Sequence, residues 1–299
     1  VGGRGQLGIY LANLLLKKKY KVTITSRNPN KKKLYELKKN FKNFKPKVIK
    51  LDIFDKKKIL IVLKKIKPDY IFYFAGQSSV SDSFQKKSET NKSNFNGCKN
   101  FLDQILKLNL KLKFFNSASV EIFGNKKVKI KINTNKKPVS PYGFSKLKSF
   151  KLVKKYRQKH NLQLYNGLLS NCESYLRPES FVIPKLCLAA LKAERNKKKG
   201  ITTKFYFGNI NISRDWGWAE EYVKYIWKKI NYGTEFDFII ATGQTFKLKD
   251  LIKFAFKNVN LDWKQHIIID KKLHRKKEIF NVKISKINTE NIIKTNGKS

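Results

Sequence analysis

The stretch VGGRGQLGIYLANLLLKK, residues 1–18, sets Gly2, Gly5 and Gly8 three residues apart, directly before an amphipathic run. Glycines at this spacing permit a tight turn and close backbone approach, so the free amides of the following helix can face an anionic group such as a pyrophosphate. Downstream, the short apolar runs KVTITS (21–26), KVIKLD (47–52), YIFYFAG (70–76), LKFFNSAS (112–119) and LQLYNGLL (162–169) alternate with stretches whose apolar residues recur at three and four. Strand alternating with helix predicts an α/β fold, a Rossmann-type doubly wound parallel sheet with helices on both faces.

After about residue 170 the gaps lengthen. Helices are expected near 181–196, 218–230 and 247–257, with short strands at KFYFG, FDFIIA and HIIID. The division expected is a dinucleotide-binding domain over 1–168 and a smaller C-terminal substrate-binding domain over 169–299, some of whose segments can return to the main sheet. No strand precedes the glycine turn and the sequence has no Met; both suggest that the true N-terminus lies further upstream.

The 67 Lys+Arg residues include seven arginines, leaving 60 lysines in 299 residues and a net charge of +46. Such a charge suits polyanions, but nucleic-acid recognition leans on arginine forks, and here lysine is scattered through every segment. Solvated helix faces and AT-rich coding explain it best, with steering of small anions as the alternative and neither nucleic acid nor membrane as an expected partner. Cys98, Cys172 and Cys187 are widely spaced, odd in number and without a C-x-x-C or His partner pattern, which argues against a disulfide framework or a zinc site, and no metal is expected. No apolar run approaches a membrane span and no signal peptide is visible; the expected location is the cytoplasm.

With 13 tyrosines among so many lysines, about two or three Tyr-x-x-x-Lys matches arise by chance. Three occur: Tyr35/Lys39, Tyr142/Lys146 and Tyr225/Lys229. Surroundings single out one. The run NSASVEIFG ends the fifth apolar stretch with Ser119 and, two residues on, Glu121, on the same face if the strand continues. Tyr142 follows inside a helix start introduced by Ser140-Pro141, and Lys146 lies one turn later. A lysine ammonium beside a tyrosine is expected to lower the phenol toward neutrality and make Tyr142 a base for a sugar hydroxyl, with Ser119 bonded to the same oxygen.

Cofactor contacts are expected from Gly2, Gly5, Gln6 and Gly8, from Asp52 and Ile53, and from Phe74, Ala75, Gly76, Gln77 and Ser78, all at apolar-run ends. After KVTITS no acid is present to hold a ribose 2′-hydroxyl; Ser26 and Arg27 stand there instead, which favours NADP over NAD.

The order of these motifs resembles the extended short-chain dehydrogenase/reductases that act on nucleotide sugars. The segments NGLLSNCES, RPESFV, YFGNINISRDWGWAEEYVKYIW and FIIATGQTFKL are similar to the GDP-mannose 4,6-dehydratase family over nearly the whole chain. The resemblance implies a hydro-lyase that binds NADP and converts GDP-D-mannose to GDP-4-dehydro-6-deoxy-D-mannose, in deoxysugar nucleotide biosynthesis. It makes Ser119, Glu121, Tyr142 and Lys146 catalytic, with Glu121 taking the sugar C5 proton. It implies cofactor contacts from Tyr142, Lys146 and Arg177, and substrate contacts from Asn171, Glu173, Ser174, Lys185, Asn209, Arg214 and Arg275. A homo-oligomer, dimer or tetramer, is implied as well.

The sequence also departs from the family. Ser119 replaces a threonine, and a His-Glu-Ser-Pro-Arg-Arg-Gly run appears as Cys172-Glu173-Ser174-Tyr175-Leu176-Arg177-Pro178. The loop after Arg27 lacks a serine-rich arm, and a final helix is expected beyond the end. The rival readings are a GDP-4-keto-6-deoxyhexose reductase or epimerase on the same fold, and a nucleotide-sugar-binding protein that has lost catalysis.

Overall fold

The computed structural model describes residues 1–29, 41–275, 277–279 and 281–284; the Tyr35/Lys39 pair lies outside them. Helix α1 (Gln6–Lys17) follows the glycine turn and buries Ile9, Tyr10, Leu11, Ala12 and Leu15. Strands β1 (Thr23–Ser26) and β2 (Lys47–Lys50) pair in parallel. Then come α2 (Lys56–Ile66), β3 (Tyr70–Tyr73), the short α3 (Val80–Gln85) and α4 (Lys87–Asn91), a π turn at Lys92–Asn96, α5 (Gly97–Lys107) and β4 (Lys113–Ser119). A 3-10 turn, Val120–Phe123, leads toward α6 (Pro141–His160) and β5 (Gln163–Leu169).

Strands β3, β4, β5 and β10 (Asp237–Ile240) form a four-stranded parallel sheet in the order β10-β5-β4-β3. The expected continuous sheet is therefore two hydrogen-bonded sets, one of two strands and one of four. The first residues bridge them: the Phe74 amide donates to the Val1 carbonyl, and the Gly3 amide to the Thr25 carbonyl. That link is too short for a ladder, and a groove of about 730 Å³ runs between β1 and β3.

Side chains alternate across the sheet as period-two geometry requires. Phe114 and Leu164 pack on one side with Ile59, Leu63, Phe101 and Leu102 from α2 and α5. Phe115 and Tyr165 pack on the other with Tyr10 of α1 and Tyr222, Val223 and Ile226 of α8 (Ala219–Tyr232). Each such fully buried aromatic or aliphatic side chain contributes about 1.5–3 kcal/mol, so the two apolar layers dominate the fold's stability.

One row across the sheet centre is polar. Asn116 of β4, Asn166 of β5 and Asp237 of β10 are register partners, and Asn116 and Asn166 are 1% and 0% exposed. Asn116 Nδ2 donates to Asn166 Oδ1 (2.9 Å), and Asn166 Nδ2 donates to Asp237 Oδ1 (3.0 Å) and to the Phe150 carbonyl of α6 (3.2 Å). Arg157 of α6 closes the row with two bonds to the Asp237 carboxylate, at 2.9 and 2.8 Å.

Beyond β5, β6 (Asn171–Glu173) pairs with β9 (Trp216–Trp218), and β8 (Ser213–Arg214) with β11 (Phe246–Lys247). Helices α7 (Val182–Lys197) and α9 (Leu248–Lys257) pack with β7 (Phe205–Phe207) and β12 (Ile267–Ile269) around a separate apolar cluster. The three C-terminal helices start within a residue of the sequence expectation. Two elements of this half, α8 and β10, belong to the main layer: β10 extends the sheet and α8 covers it beside α1. Among the described residues no helix is long and apolar enough to cross a membrane.

Candidate active site

The start of α6 is set by its sequence. Ser140 Oγ accepts the Gly143 amide at 3.0 Å, and Pro141 occupies the first turn, where its missing N–H costs nothing. A Cβ on Gly143 would lie 2.8 Å from the Glu121 carbonyl. Glycine thus lets the helix start close against the turn that carries Glu121.

That turn corrects one expectation. The strand does not continue from Ser119 to Glu121: Ser119 Oγ accepts the Glu121 amide (3.2 Å), which starts the 3-10 turn, and Gly124 ends it at φ 66°. The side-chain capping bond outcompetes another strand residue. Both residues nevertheless line one cavity of about 250 Å³, together with Tyr142, Lys146, Asn171, Arg177 and Arg275.

Tyr142 is 9% exposed and its phenol is pushed up to about 12, by burial first and by the Glu121 carboxylate. A hydrogen bond with Ser119 and the charge of Arg177 pull the other way. Lys146 donates from Nζ to the Ser117 carbonyl (2.8 Å), lies 5.7 Å from the Tyr142 ring centroid, and is lowered to about 8 by burial. The expectation that Lys146 draws Tyr142 toward neutrality is therefore not met. Burial penalises the charged form of each residue, and the pull on the phenol comes from Ser119 and Arg177. The Tyr225/Lys229 match is elsewhere: Tyr225 is buried in the core of α8 and Lys229 pairs with Glu235 at 2.7 Å.

The glycine turn fits a dinucleotide. Gly2, at φ 74°, would bring a Cβ to 2.6 Å from the Ala75 amide, and a Cβ on Gly8 would reach 2.7 Å from Gly3 Cα. Both glycines are explained by protein packing alone. Gly5 is not: a Cβ there meets only the Gly2 carbonyl, at 3.4 Å, while the residue lines the cavity as the N-cap of α1. Glycine at this position keeps the helix N-terminus open to a ligand's backbone approach.

Gly8, Phe74, Gly76, Gln77 and Ser78 line the same cavity. Gln6 lines it too but is committed: its Nε2 donates to the Cys172 carbonyl and its Oε1 accepts from Ser174, both at 2.8 Å. Ala75 backs Gly2. Asp52 and Ile53 do not reach the cavity: Asp52 accepts the Phe54 amide (3.0 Å), and Ile53 is core beneath Gly97. Arg27 is exposed beyond β1.

Sequence reasoning missed Asn94. It sits in the π turn, 1% exposed, and donates to the Gln77 carbonyl and to Ser145 Oγ, both at 3.0 Å, tying the Gly76–Ser78 loop to α6. Its only sequence signal is the bulge itself, which no periodicity shows.

The family model described as GDP-mannose 4,6 dehydratase matches residues 1–292. The chain belongs to the GDP-mannose 4,6-dehydratase family. It is 32% identical over 292 residues to GDP-mannose 4,6 dehydratase 1 of Arabidopsis thaliana, covering 94% of this chain and 80% of that protein. It is 31% identical to the Drosophila melanogaster GDP-mannose 4,6 dehydratase, covering 88% and 68%. Among solved structures, dTDP-glucose 4,6-dehydratase of Streptomyces venezuelae with NAD and TYD bound superimposes with a TM-score of 0.80 at 17% identity, covering 97% of this chain and 88% of that one. The structure titled RMD from Pseudomonas aeruginosa complexed with NADPH gives 0.75 at 19%, covering 95% and 88%. These two share the fold.

As a member of the GDP-mannose 4,6-dehydratase family, the chain handles its departures by packing. Cys172 is 5% exposed and, with Leu176, joins the apolar cluster of Tyr10, Tyr222 and Val223. Burial pushes the Cys172 thiol up, so it stays neutral. Of the expected substrate residues, Asn171 and Arg275 line the cavity. Arg214 is 3% exposed and donates to Glu278 at 3.0 Å, with Arg275 3.6 Å from the same carboxylate oxygen. Ser174 is taken up by Gln6, and Glu173 faces Arg177 at 3.8 Å. Lys185 and Asn209 do not line the cavity: Lys185 bonds the Tyr206 carbonyl (2.6 Å) and Asn209 caps the Asn211 amide (2.9 Å).

Proposed function

We propose that this protein converts GDP-D-mannose to GDP-4-dehydro-6-deoxy-D-mannose, with NADP as its resident cofactor. The observation that carries the reading is Glu121 in the same cavity as Ser119, Tyr142 and Lys146. A ketone reductase needs only a proton donor at the carbonyl, whereas dehydration needs a second acid/base group for C5 and C6.

The nicotinamide, when bound, accepts a hydride from the sugar and returns it, so no net oxidation results. Tyr142 takes the C4 hydroxyl proton, with Ser119 bonded to the same oxygen and Arg177 easing the phenolate. Lys146, anchored on the Ser117 carbonyl, holds a positive charge beneath the pair. The C4 ketone acidifies the C5 proton; Glu121 removes it and protonates the departing C6 hydroxyl, which leaves as water, and as the hydride is given back to C6 the proton that Tyr142 took from the C4 hydroxyl is delivered to C5. Asn171 and Arg275 line the cavity as substrate contacts and Arg177 as a cofactor contact, with Arg214 behind the Glu278 carboxylate. We propose that the nucleotide sugar is held mainly by segments after residue 169, α8 and β10 excepted.

Incubating purified protein with NADP⁺ and GDP-mannose should give a product lighter by one water. Y142F should lower kcat by about 10²–10⁴-fold, and E121Q should allow oxidation at C4 without water loss. Absence of any water-loss product from folded protein overturns the reading, and consumption of a 4-keto-6-deoxy sugar instead would place the protein among the reductases.

A further inference from the structure

Gln6 opens α1 within the glycine turn, but its side-chain amide serves residues 166 and 168 positions further along the chain. Nε2 donates to the Cys172 carbonyl and Oε1 accepts from Ser174 Oγ, each at 2.8 Å. Cys172 and Ser174 are 5% and 7% exposed, so water competes little for either bond. The Cys172 carbonyl can only accept, which fixes the orientation of the amide. Ser174 Oγ itself accepts the Leu176 amide (3.2 Å), which leaves its hydrogen for Gln6.

Ser174 begins a turn that ends at Arg177. Its carbonyl accepts the Arg177 amide (3.0 Å) while its hydroxyl holds the Leu176 amide, so two backbone bonds converge on one residue. Side chains hold the Arg177 guanidinium only loosely. Its Nε stands 3.8 Å from the Glu173 carboxylate and has no hydrogen-bond partner among the described residues, and the group lies 3.6 Å over the Phe181 ring. The place of Arg177 in the cavity is therefore set chiefly by the backbone turn that Ser174 holds. Its charge acts on the Tyr142 phenol, which lines the same cavity.

We propose that Gln6 is a positioning residue: through Ser174 it sets the turn that places Arg177 in the cavity with Tyr142. The inference rests on the reading above for what Tyr142 does, while the link from Gln6 to Arg177 stands on geometry alone. The amide of Gln6 is bonded at both ends within the protein, so the side chain does not recognise the cofactor itself. The first turn of α1 thus has two uses: the open N-cap at Gly5 leaves the backbone to a ligand, and the Gln6 side chain fixes a cation at the far wall of the cavity.

The test is a double-mutant cycle on binding, with turnover as a second readout. NADP⁺ and NAD⁺ are titrated calorimetrically into wild type, Q6M, R177A and the double variant, and the dinucleotide that wild type binds more tightly carries the cycle. Q6M keeps the stem and removes both hydrogen bonds, and should weaken binding about tenfold. R177A should weaken it at least as much, and Q6M should have no further effect in the R177A background. Equal loss in both backgrounds makes Gln6 a direct cofactor contact and overturns the proposal. A wild type that binds neither dinucleotide, or a Q6M that changes nothing, does the same. The pH profile of kcat separates positioning from a merely structural role: Q6M should move the acid limb to higher pH, as R177A does, because the phenolate loses the same positive charge. A lowered melting temperature with an unmoved limb overturns the proposal. If Q6M fails to fold, S174A decides, since it cuts the link to the turn and spares the Cys172 bond; unchanged binding and an unchanged limb in S174A overturn it. A protein that shows the cycle yet leaves GDP-mannose intact would refute the dehydratase reading and leave Gln6 in this role.

Discussion

Glu173 lies buried beside Arg177, 3.8 Å away, and burial raises its carboxyl to about 7 against the pull of the guanidinium. The folded state therefore binds a proton that the unfolded chain has released between pH 4.5 and about 7. This contribution to stability is full below 4.5 and is lost as pH rises through the folded value, up to about 3 kcal/mol in all. E173Q should flatten that slope, which urea midpoints at about pH 5 and about pH 8 will show. Lys146 acts in a different window and with the opposite slope. Its lowered value means that stability rises between about 8 and 10.5, as the unfolded chain loses its proton too. Tyr142 and Lys146 were legible in the sequence as a pair, but their ionisation was not, because desolvation depends on neighbours distant along the chain.

Helix α6 carries that pair on a single stripe. Tyr142, Lys146, Phe150, Val153 and Arg157 follow spacings of four, four, three and four, and the polar row of Asn116, Asn166 and Asp237 grips the stripe at Phe150 and Arg157. Rigid anchoring two turns apart fixes how far Tyr142 stands from Ser119. N166L removes the grip on Phe150 and leaves the Asp237 carboxylate one donor short. We expect kcat to fall about tenfold with KM nearly unchanged, since misplacement of a catalytic group affects chemistry before binding. A purely structural role would lower the melting temperature and leave kcat at 25 °C intact. The helix and its cap were legible as Ser140-Pro141 and a helical period, but the row was not. Asn116 and Asn166 interrupt apolar runs and look like flaws until register sets them side by side.

At the scale of the whole molecule, Asp215 joins the parts. It is fully buried, and its carboxylate accepts from Ser170 Oγ (2.8 Å), the Thr242 amide (3.0 Å) and the Gly243 amide (2.7 Å), with Tyr222 Oη at 3.4 Å. The ends of β5 and β10 and the helix α8 thus meet at one side chain, next to Arg214 and bonded through its carbonyl to the Asn171 amide (3.1 Å). Gly217 allows this, since a Cβ there would strike the Tyr222 ring at 2.2 Å. D215A should destabilise the fold by about 3 kcal/mol, having left several buried donors unpaired. In the folded fraction it should weaken GDP binding and spare adenosine 2′,5′-bisphosphate. Calorimetric titration of both ligands separates this from general loosening.

The sequence by itself determined the α/β alternation, the glycine turn, the order Ser119, Glu121, Tyr142, Lys146 and the family, because each is written in local periodicity or short motifs. Only the tertiary structure decided that Glu121 stands on a 3-10 turn, that Lys185, Asn209, Asp52 and Ile53 do not line the cavity, and that Cys172 and Leu176 pack in the apolar core cluster. It likewise brought Arg4 to Asn28 and Asp215 to Thr242. Such pairings join residues tens of positions apart, and their energies depend on burial and hydrogen-bond direction, which exist only once the strands have taken their register.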